Sequence, residues 1–503
     1  MKINVLDMLE NSVKEYPDKA AVIEEHRSLT YTELSDSSRK IASGILSHSV
    51  TGCPVGVYME KGIDALCTFF GAVYAGGFYS MFNTELPDSR LQQIQSVLKA
   101  KVIVTADDLK AKAEELFGGT IIKTVSELLQ TPIDEQALKA IRAHAIDTDP
   151  LYVNFTSGST GVPKGIAVCH RSVIDFISCF TDIFGITDSD IISNQAPFDF
   201  DVSVKDIYSA VSVGATLVIV PREYFSAPVK LIDYLCEHKI TTMIWAVSAL
   251  CLISTFHGLD YKTPETVNKI LFSGEVMPYK HLKEWQKHLP DAAYVNLYGP
   301  TEITCNCTYH ILDKDRDYSE GIPIGVPFPN EDVFLLSNDN TKVTEQGKTG
   351  MIVVRGTALA LGYYDLPEKN AECFVQNPLN KCYPELIYKT GDLGTYDESG
   401  ELRFCGRADF QVKYMGHRIE LEEIERAMSA IDGVERCFCV FDEKKQRLKG
   451  FYVGTIEKND LSSIMKETMP VFMVPGFIRK IDEILLTKNG KIDRKKTIEL
   501  MGG

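Results

Sequence analysis

The sequence predicts an α/β protein with a large N-terminal lobe of α/β sheets, a β-rich subdomain and a small mobile α/β lid domain at the C-terminus. Its 503 residues exceed what one ordinary hydrophobic core holds, so two or more lobes are expected. Short β-branched segments alternate with amphipathic ones, which is typical of parallel sheets covered by helices. After Asn330 the pattern changes to short strands and turns, which predicts the β-rich subdomain.

The large lobe begins with two predicted amphipathic helices, at 5–15 and 31–47. The apolar segments 54–58 and 101–105 are short and stand between amphipathic stretches, so they predict buried parallel strands. The pattern continues as strand, helix and strand in 215–220, 231–238 and 242–245. Repeated strand–helix units of this kind predict an α/β sheet.

The rest of the chain predicts two smaller regions. Segments such as 350–355 read as short strands of the β-rich subdomain. A boundary lies near Gly406–Asp409, so we expect an N-terminal domain at 1–408 and a lid domain at 409–503, which is long enough for a small α/β fold. The predicted elements of the lid are a strand at 410–414 and a charged amphipathic helix at 420–431.

Composition and charge exclude several classes of protein. The formal net charge of −16 argues against nucleic acid as a partner, because phosphate backbones attract the opposite sign. No apolar run approaches the length that spans a bilayer, and the charged N-terminus does not resemble a signal peptide. The thirteen cysteines are scattered without metal-site spacing, which predicts reduced thiols and a cytoplasmic location.

A loop rich in glycine and hydroxyl residues, Phe155–Gly165 (FTSGSTGVPKG), follows the apolar run 151–153. Glycines let backbone N–H groups approach a phosphate, hydroxyls donate further hydrogen bonds, and Lys164 adds a positive charge. The spacing does not fit the Walker loop. A flexible linker is the alternative, but linkers rarely follow an apolar strand. The loop resembles the phosphate loop of adenylate-forming enzymes.

Further motifs follow the loop in a fixed order. They are Ser273-Gly-Glu275, Asn296-Leu-Tyr-Gly-Pro-Thr-Glu302, Tyr388-Lys-Thr-Gly-Asp392, Gly406-Arg-Ala-Asp409 and Thr487-Lys-Asn-Gly-Lys-Ile-Asp-Arg494. With the loop, they resemble the amino-acid adenylation domains of nonribosomal peptide synthetases. The same superfamily contains acyl-CoA synthetases and D-alanine–carrier-protein ligases. The resemblance runs from about Leu29 to Arg494, essentially the whole chain.

The resemblance implies that the cofactors are ATP and Mg²⁺. Tyr298 is expected to stack on adenine, Asp392 to accept the ribose hydroxyls, and Arg407 to reach ribose or phosphate with its rigid donor fork. Glu302 is expected to hold Mg²⁺, since hard cations prefer oxygen ligands. The residues expected to bind ATP are Thr156, Ser157, Gly158, Ser159, Thr160, Gly161, Lys164, Ser273, Gly274, Glu275, Asn296, Tyr298, Gly299, Thr301, Glu302, Asp392, Arg407 and Lys491.

The resemblance also implies three catalytic residues and a hinge. Lys491 is expected to bridge the substrate carboxylate and the α-phosphate as negative charge builds in the transition state. Lys164 and Glu302 are expected to assist it through the phosphates and the metal ion. Asp409 matches the hinge about which the lid turns.

Asp201, in Phe200-Asp-Val-Ser203, implies an amino-acid substrate, because the matching aspartate of the family pairs with the α-ammonium group. Asp199 lies two residues away and leaves the register ambiguous. The implied side-chain pocket consists of Val202, Lys205, Trp245, Leu271, Ser273, Leu297, Cys305 and Asn306. Lys205 would suit an acidic or polar substrate if it faces the pocket, whereas Trp245 would favour a small one. The amino acid stays open.

The expected second substrate is the phosphopantetheine thiol of a carrier protein supplied in trans, since the chain has no room for a carrier domain of its own. Gly416 matches the segment that lines the thiol tunnel of the family. Two alternatives stay open. One is an acyl- or aryl-CoA synthetase, against which Asp201 argues. The other is a catalytically silent nucleotide-binding protein, against which the retained motif residues argue.

Overall fold

The computed structural model describes residues 2–157, 162–407, 411–442, 445–485 and 494–500. The chain divides into two compact units. The larger unit consists of Met1–Thr84, Leu98–Asn154 and Gly165–Ala408. The smaller unit consists of Glu85–Val97, Phe155–Lys164 and Asp409–Gly503, so it includes the segment around the glycine-rich loop as well as the C-terminal region.

The first sheet has nine strands within the described residues. From one edge to the other they are Val326–Pro327, Thr308–Ile311, Ala293–Tyr298, Lys269–Ser273, Thr242–Ala246, Ile191–Asn194, Thr216–Ile219, Ala20–Glu24 and Arg27–Thr30. The six strands from Ala293–Tyr298 to Ala20–Glu24, both included, run parallel, and the outer pairs are antiparallel. The carboxyl ends of the parallel strands therefore meet at one edge, where the motifs of the middle of the chain begin.

The second sheet has seven strands within the described residues. In order they are Gly362–Tyr363, Lys164–Cys169, Pro150–Thr156, Phe78–Phe82, Pro54–Tyr58, Val102–Thr105 and Ile121–Thr124. The pairs among the last four strands are parallel, and most of their side chains are buried. The two largely parallel sheets confirm the predicted α/β class.

Helices alternate with most of these strands along the chain. They are Leu6–Glu15, Tyr31–Leu46, Ile63–Tyr74, Asp88–Leu98, Lys110–Leu116, Val125–Leu129, Glu135–Arg142, His170–Ile183, Val202–Val213, Pro228–Glu237, Val247–Thr255, Gly258–Tyr261 and Tyr279–His288, with short 3-10 turns at Asp107–Leu109, Arg222–Ser226 and Thr301–Ile303. Local sequence explains their ends: Thr30 and Glu33 form a capping box that starts Tyr31–Leu46. Gly214 ends Val202–Val213 at φ 77°, where a Cβ would lie 2.3 Å from the Tyr16 ring, so only glycine fits.

In the part of the chain that the structure describes, the β-rich region is a six-stranded antiparallel sheet. Its strands are Lys342–Val343, Glu331–Leu336, Gly350–Gly356, Leu386–Tyr396, Phe374–Gln376 and Leu402–Arg407, and the helix Pro367–Cys373 precedes one of them. The long strand Leu386–Tyr396 pairs with three others, so it holds the centre of this region. Asp392 and Arg407 are cross-strand partners here, which brings two of the predicted site residues together.

Within the described residues, the C-terminal part of the smaller unit contains three helices and two small sheets. The predicted strand at 410–414 is found as Gln411–Tyr414, paired with His417–Glu420, and the predicted helix as Leu421–Ser429. The remaining elements are strands Val434–Asp442, Arg447–Gly454 and Phe477–Lys480, helices Lys458–Thr468 and Arg494–Leu500, and the turn Val471–Met473. Ile424, Met428 and Leu461 lie in the apolar core between them. Among the described residues, no helix has the length and apolar character needed to cross a bilayer.

Candidate functional site

Tyr298, Asp392 and Arg407 form one hydrogen-bonded cluster in the larger unit. The Tyr298 hydroxyl donates to Asp392 Oδ2 at 2.5 Å, and Arg407 Nη1 donates to Asp392 Oδ1. Arg407 Nη2 also donates to the carbonyl of Thr390 at 3.2 Å. Asp392 is only 3% exposed, so these contacts stabilise its charge away from water. The cluster presents an aromatic ring and an anchored carboxylate side by side.

Burial keeps the Tyr298 hydroxyl of this cluster protonated. Burial first, and then the neighbouring Asp392 carboxylate, raises the pKa of the Tyr298 hydroxyl well above its ordinary value. Tyr298 therefore stays a neutral hydrogen-bond donor over the physiological range. A carboxylate that is held by such donors keeps further lone pairs as acceptors, which suits hydroxyl groups of a ligand.

Glu302 lies in the turn Thr301–Ile303 and is 1% exposed. Its Oε1 accepts a hydrogen bond from the Tyr363 hydroxyl at 2.7 Å, and that hydroxyl is 3.4 Å from the Tyr388 hydroxyl. The carbonyl of Glu302 accepts from the N–H of Ala360 at 2.9 Å, which fixes the turn. The sequence did not single out Tyr363. A carboxylate oxygen is the ligand type that Mg²⁺ takes, so Glu302 fits the predicted metal role.

Two glycines shape the turns next to these residues. Gly274 has φ 99°, and apart from its chain neighbours no atom of the described residues lies within 4 Å of a Cβ built on it. At Gly299 a Cβ would lie 2.5 Å from the Cα of Asn306, so the backbone at Gly299 packs directly against the backbone at Asn306. Glu275 and Thr301 are half-buried.

Asn296 has a structural contact in addition to its predicted role. Its Nδ2 donates to the carbonyl of Pro323 at 2.8 Å. In register, Asn296 lies beside Phe272, whereas Leu297 lies beside Ser273. The side chain of Asn296 therefore stands on the sheet face opposite Ser273.

Lys205 is fully buried on the helix Val202–Val213, with 0% exposure. Its Nζ donates to Asn306 Oδ1 at 2.6 Å and to Ser273 Oγ at 3.2 Å. These are two of the residues predicted to line the substrate pocket, so the lysine side chain points towards that group and not outward to solvent. The structure thus brings Lys205, Ser273 and Asn306 together.

Asp201 directly precedes the same helix, and its carbonyl accepts a hydrogen bond from the Cys305 thiol at 3.0 Å. Asp199 is engaged elsewhere, since its Oδ2 accepts from Asn83 Nδ2 at 3.2 Å. Burial raises the pKa of Asp199 to about 6. Neither aspartate lies in a strand: both are in the segment between the strand Ile191–Asn194 and the helix Val202–Val213.

The strands divide the other predicted pocket residues between two faces. Leu271, Ser273 and Leu297 alternate onto one face, and Leu271 and Leu297 share an apolar core with Ile244. Val202 is half-buried at the start of the neighbouring helix. The sheet therefore brings Leu271, Ser273 and Leu297 together on one face.

Trp245 is not brought to this face. It is in register with Phe272, its ring packs 5.4 Å from that of Phe225, and its Nε1 donates to Ser193 Oγ at 3.0 Å. Ala246 is the residue in register with Ser273. The expectation that Trp245 narrows the pocket is therefore corrected, because strand alternation turns the indole to the opposite side of the sheet.

The glycine-rich loop begins at the end of the strand Pro150–Thr156. Ser157 Oγ donates to the carbonyl of Arg418 at 2.6 Å, and Lys164 Nζ lies 3.3 Å from Glu420 Oε1, all within the smaller unit. The predicted residues that lie outside the described ranges are Gly158, Ser159, Thr160, Gly161, Asp409 and Lys491.

Comparison with known proteins gives the family. Residues 9–364 match the family described as AMP-binding enzyme. The chain belongs to the AMP-binding enzyme family. It is 32% identical to zwittermicin A synthase ZmaJ of Bacillus cereus over 517 residues, which cover 100% of this chain and 96% of that one. It is 30% identical to a D-alanine–D-alanyl carrier protein ligase of Bacillus cytotoxicus, covering 99% of each protein.

Other relatives of this AMP-binding enzyme are longer. It is 30% identical to tyrocidine synthase 1 of Brevibacillus parabrevis, and the matched region covers 98% of this chain but 44% of that protein. Among solved structures, the Vibrio cholerae adenylation domain AlmE in complex with glycyl-adenosine-5′-phosphate has a TM-score of 0.86 at 21% identity, covering 100% of this chain and 98% of AlmE. At that identity the likeness shows the fold. The resemblance read from the motifs is confirmed.

Proposed function

We propose that this AMP-binding enzyme activates an amino acid with ATP. A carboxylate oxygen of the amino acid attacks the α-phosphorus, the bond from that phosphorus to the β-phosphate oxygen breaks, and aminoacyl-AMP and pyrophosphate form. The observation that carries the proposal is the cluster of Tyr298, Asp392 and Arg407. A ring beside an anchored, buried carboxylate suits adenine and the ribose hydroxyls of one nucleotide.

Further residues complete the nucleotide site in this proposal. Glu302 would hold Mg²⁺, and the bound ion would neutralise phosphate charge. Lys164 pairs with the β- and γ-phosphates, and Lys491 stabilises the charge that develops at the α-phosphate. Lys491 and the hinge residue Asp409 lie outside the described residues, so their roles rest on the motifs alone.

The proposed substrate class is an amino acid, recognised at its α-ammonium group by Asp201. The aspartate is half-buried at the start of a helix and fixed through its carbonyl by Cys305, so its position is well defined. The printed name of the Bacillus cytotoxicus relative, a D-alanine–D-alanyl carrier protein ligase, supports the same class. Lys205 and Asn306 then face the substrate side chain and make this end of the pocket polar.

The proposed acceptor is the phosphopantetheine thiol of a carrier protein supplied in trans. The thiol sulfur attacks the acyl carbon of the adenylate, the bond to the phosphate oxygen breaks, and AMP leaves. The name of the carrier protein ligase relative supports this partner class. Because the reaction consumes ATP, we place it in the cytoplasm.

ATP–pyrophosphate exchange across L- and D-amino acids tests the proposal. We expect exchange with a small set of amino acids and none with the same acids lacking the amine. Exchange only with the acids that lack an amine would make the protein an acyl- or aryl-CoA synthetase. Nucleotide binding without exchange for any acid would make it a silent binding protein, and either result overturns the proposal.

A further inference from the structure

Lys164 of the glycine-rich loop is paired with the carboxylate of Glu420, which ends the hairpin formed by the strands Gln411–Tyr414 and His417–Glu420. Lys164 Nζ lies 3.3 Å from Glu420 Oε1, and both residues belong to the smaller unit. Each side chain is 12% exposed, so water screens the pair only partly. The same Oε1 accepts a hydrogen bond from Gln411 Nε2 at 2.8 Å, which orients the carboxylate towards the lysine.

Other contacts within the smaller unit fix the segments on either side of Glu420. Ser157, at the start of the loop, donates to the carbonyl of Arg418 at 2.6 Å. The helix after the hairpin carries Glu423, whose Oε1 is 2.8 Å from Arg90 Nη1, and these two side chains are 8% and 11% exposed. Glu420 is therefore placed by neighbouring contacts on both sides and is not a freely moving surface side chain.

The position of Glu420 conflicts with the presence of phosphates at Lys164. A carboxylate oxygen and a phosphate oxygen carry charge of the same sign, and they repel each other strongly when both approach one partly buried ammonium group. The single positive charge of Lys164 is shared when the Glu420 carboxylate and a phosphate group both contact it, so each ion pair is weaker than it would be alone. Binding of β- and γ-phosphates at Lys164 therefore requires the pair with Glu420 to loosen.

We propose that Glu420 competes with the β- and γ-phosphates for Lys164 and thereby lowers the affinity for ATP and pyrophosphate. The inference rests on the proposed function, because it takes Lys164 as a phosphate ligand. The competition favours the forward direction of the activation step. When pyrophosphate leaves, Glu420 forms its ion pair with Lys164 again. This ion pair opposes rebinding of pyrophosphate and therefore reversal of the activation step. Glu420 is thus a residue that sets nucleotide affinity without touching the reacting atoms.

The test is Glu420→Gln in the full chain, with dissociation constants of ATP, pyrophosphate and AMP measured by calorimetry without amino acid. Removing the charge removes the competitor, so we expect ATP and pyrophosphate to bind about fivefold tighter, the fold-change of a partly exposed ion pair. AMP lacks the β- and γ-phosphates, so its affinity should not change. A merely structural role of Glu420 would move all three affinities together.

Two further variants keep the result interpretable. Glu422→Gln, a half-buried glutamate two residues along the chain, is the matched control and should leave all three affinities unchanged. Glu420→Asp is one methylene shorter and should shift ATP and pyrophosphate in the same direction by a smaller factor. In a Lys164→Met background, the gain from Glu420→Gln should vanish.

The outcomes separate the inference from the proposed function. If the unaltered protein binds ATP and Glu420→Gln binds it equally or more weakly, Glu420 does not compete and the inference fails while the proposed function stands. Equal tightening of AMP overturns it as well. If the unaltered protein binds none of the three ligands, the proposed function itself fails, and the inference fails with it.

Discussion

Replacing Asp392 by asparagine tests the nucleotide site most sharply within the larger unit. The amide has nearly the same shape but no charge, so the bonds from Tyr298 and Arg407 lose their charge assistance. Hydrogen bonds to charged groups contribute about 1.5–3 kcal/mol, and the carboxylate would no longer offer its acceptors to the ribose hydroxyls. We therefore expect the KM for ATP in the exchange assay to rise by about 10- to 150-fold, with the KM for the amino acid unchanged.

A matched control separates this effect from loss of stability. Asp397 follows the same strand, is paired with Arg316 and Arg403, and its side chain is 11% exposed. Asp397→Asn should cost comparable stability and leave the KM for ATP unchanged. Thermal unfolding shows whether each variant is folded at the assay temperature. A folded Asp392→Asn protein with the ATP affinity of the unaltered one would refute the assignment of this carboxylate to the nucleotide.

Three other predictions concern the substrate, the pocket and the pH dependence of stability. Asp201→Asn should raise the KM for the amino acid by about 10- to 150-fold, since a charge-assisted bond is lost, whereas Asp199→Asn should not; the reverse result would exchange their roles. Trp245→Phe should lower the free energy of unfolding by about 1–2 kcal/mol through the lost bonds to Ser193 and leave the amino-acid profile of the exchange assay unchanged. Burial lowers the pKa of His170 to about 3, so this residue stabilises the fold above its unfolded pKa near 6.5 and loses that contribution as the pH falls towards 3. Urea unfolding should therefore show a loss of about 2 kcal/mol between pH 7 and pH 5 that is absent in His170→Asn.

Much of the fold follows from local patterns in the sequence. The short apolar segments at 54–58 and 101–105 are strands at Pro54–Tyr58 and Val102–Thr105, because β-branched residues between amphipathic helices suit a sheet buried on both faces. The order of the strands within each sheet does not follow from local patterns, since neighbours in a sheet are often distant in sequence. The pairing of Ala20–Glu24 with Thr216–Ile219 is an example.

The site was predictable where a motif stands at the end of a strand or in a turn. Ser273 and Tyr298 end neighbouring parallel strands, so their approach follows from the sheet itself. The sheet face on which a side chain lies could not be predicted from the motif, because it depends on the register of the strand. That dependence explains why Trp245 matches a pocket position of the family and yet packs on the opposite face.

Contacts between site residues and side chains that are distant in sequence could not be predicted from the motifs. Tyr363 reaches Glu302 across 61 residues, and Glu420 reaches Lys164 across 256. Neither pairing has a spacing rule, since tertiary contacts of this kind depend on the assembled fold. Glu420 stands in a recognised segment, four residues after Gly416, and its charge is the feature that a search for partners of the loop lysine would have found.

The central claim, attack of an amino-acid carboxylate on the α-phosphorus of ATP, is tested most directly by following oxygen. The amino acid that gives the strongest exchange is labelled with ¹⁸O in its carboxylate and incubated with the protein, ATP and hydroxylamine, which serves as the acyl acceptor. The masses of the products are then measured by mass spectrometry. The proposed reaction transfers a carboxylate oxygen to AMP, so the AMP should carry ¹⁸O and the pyrophosphate none. Unlabelled AMP, or ADP formed with labelled inorganic phosphate, would contradict it.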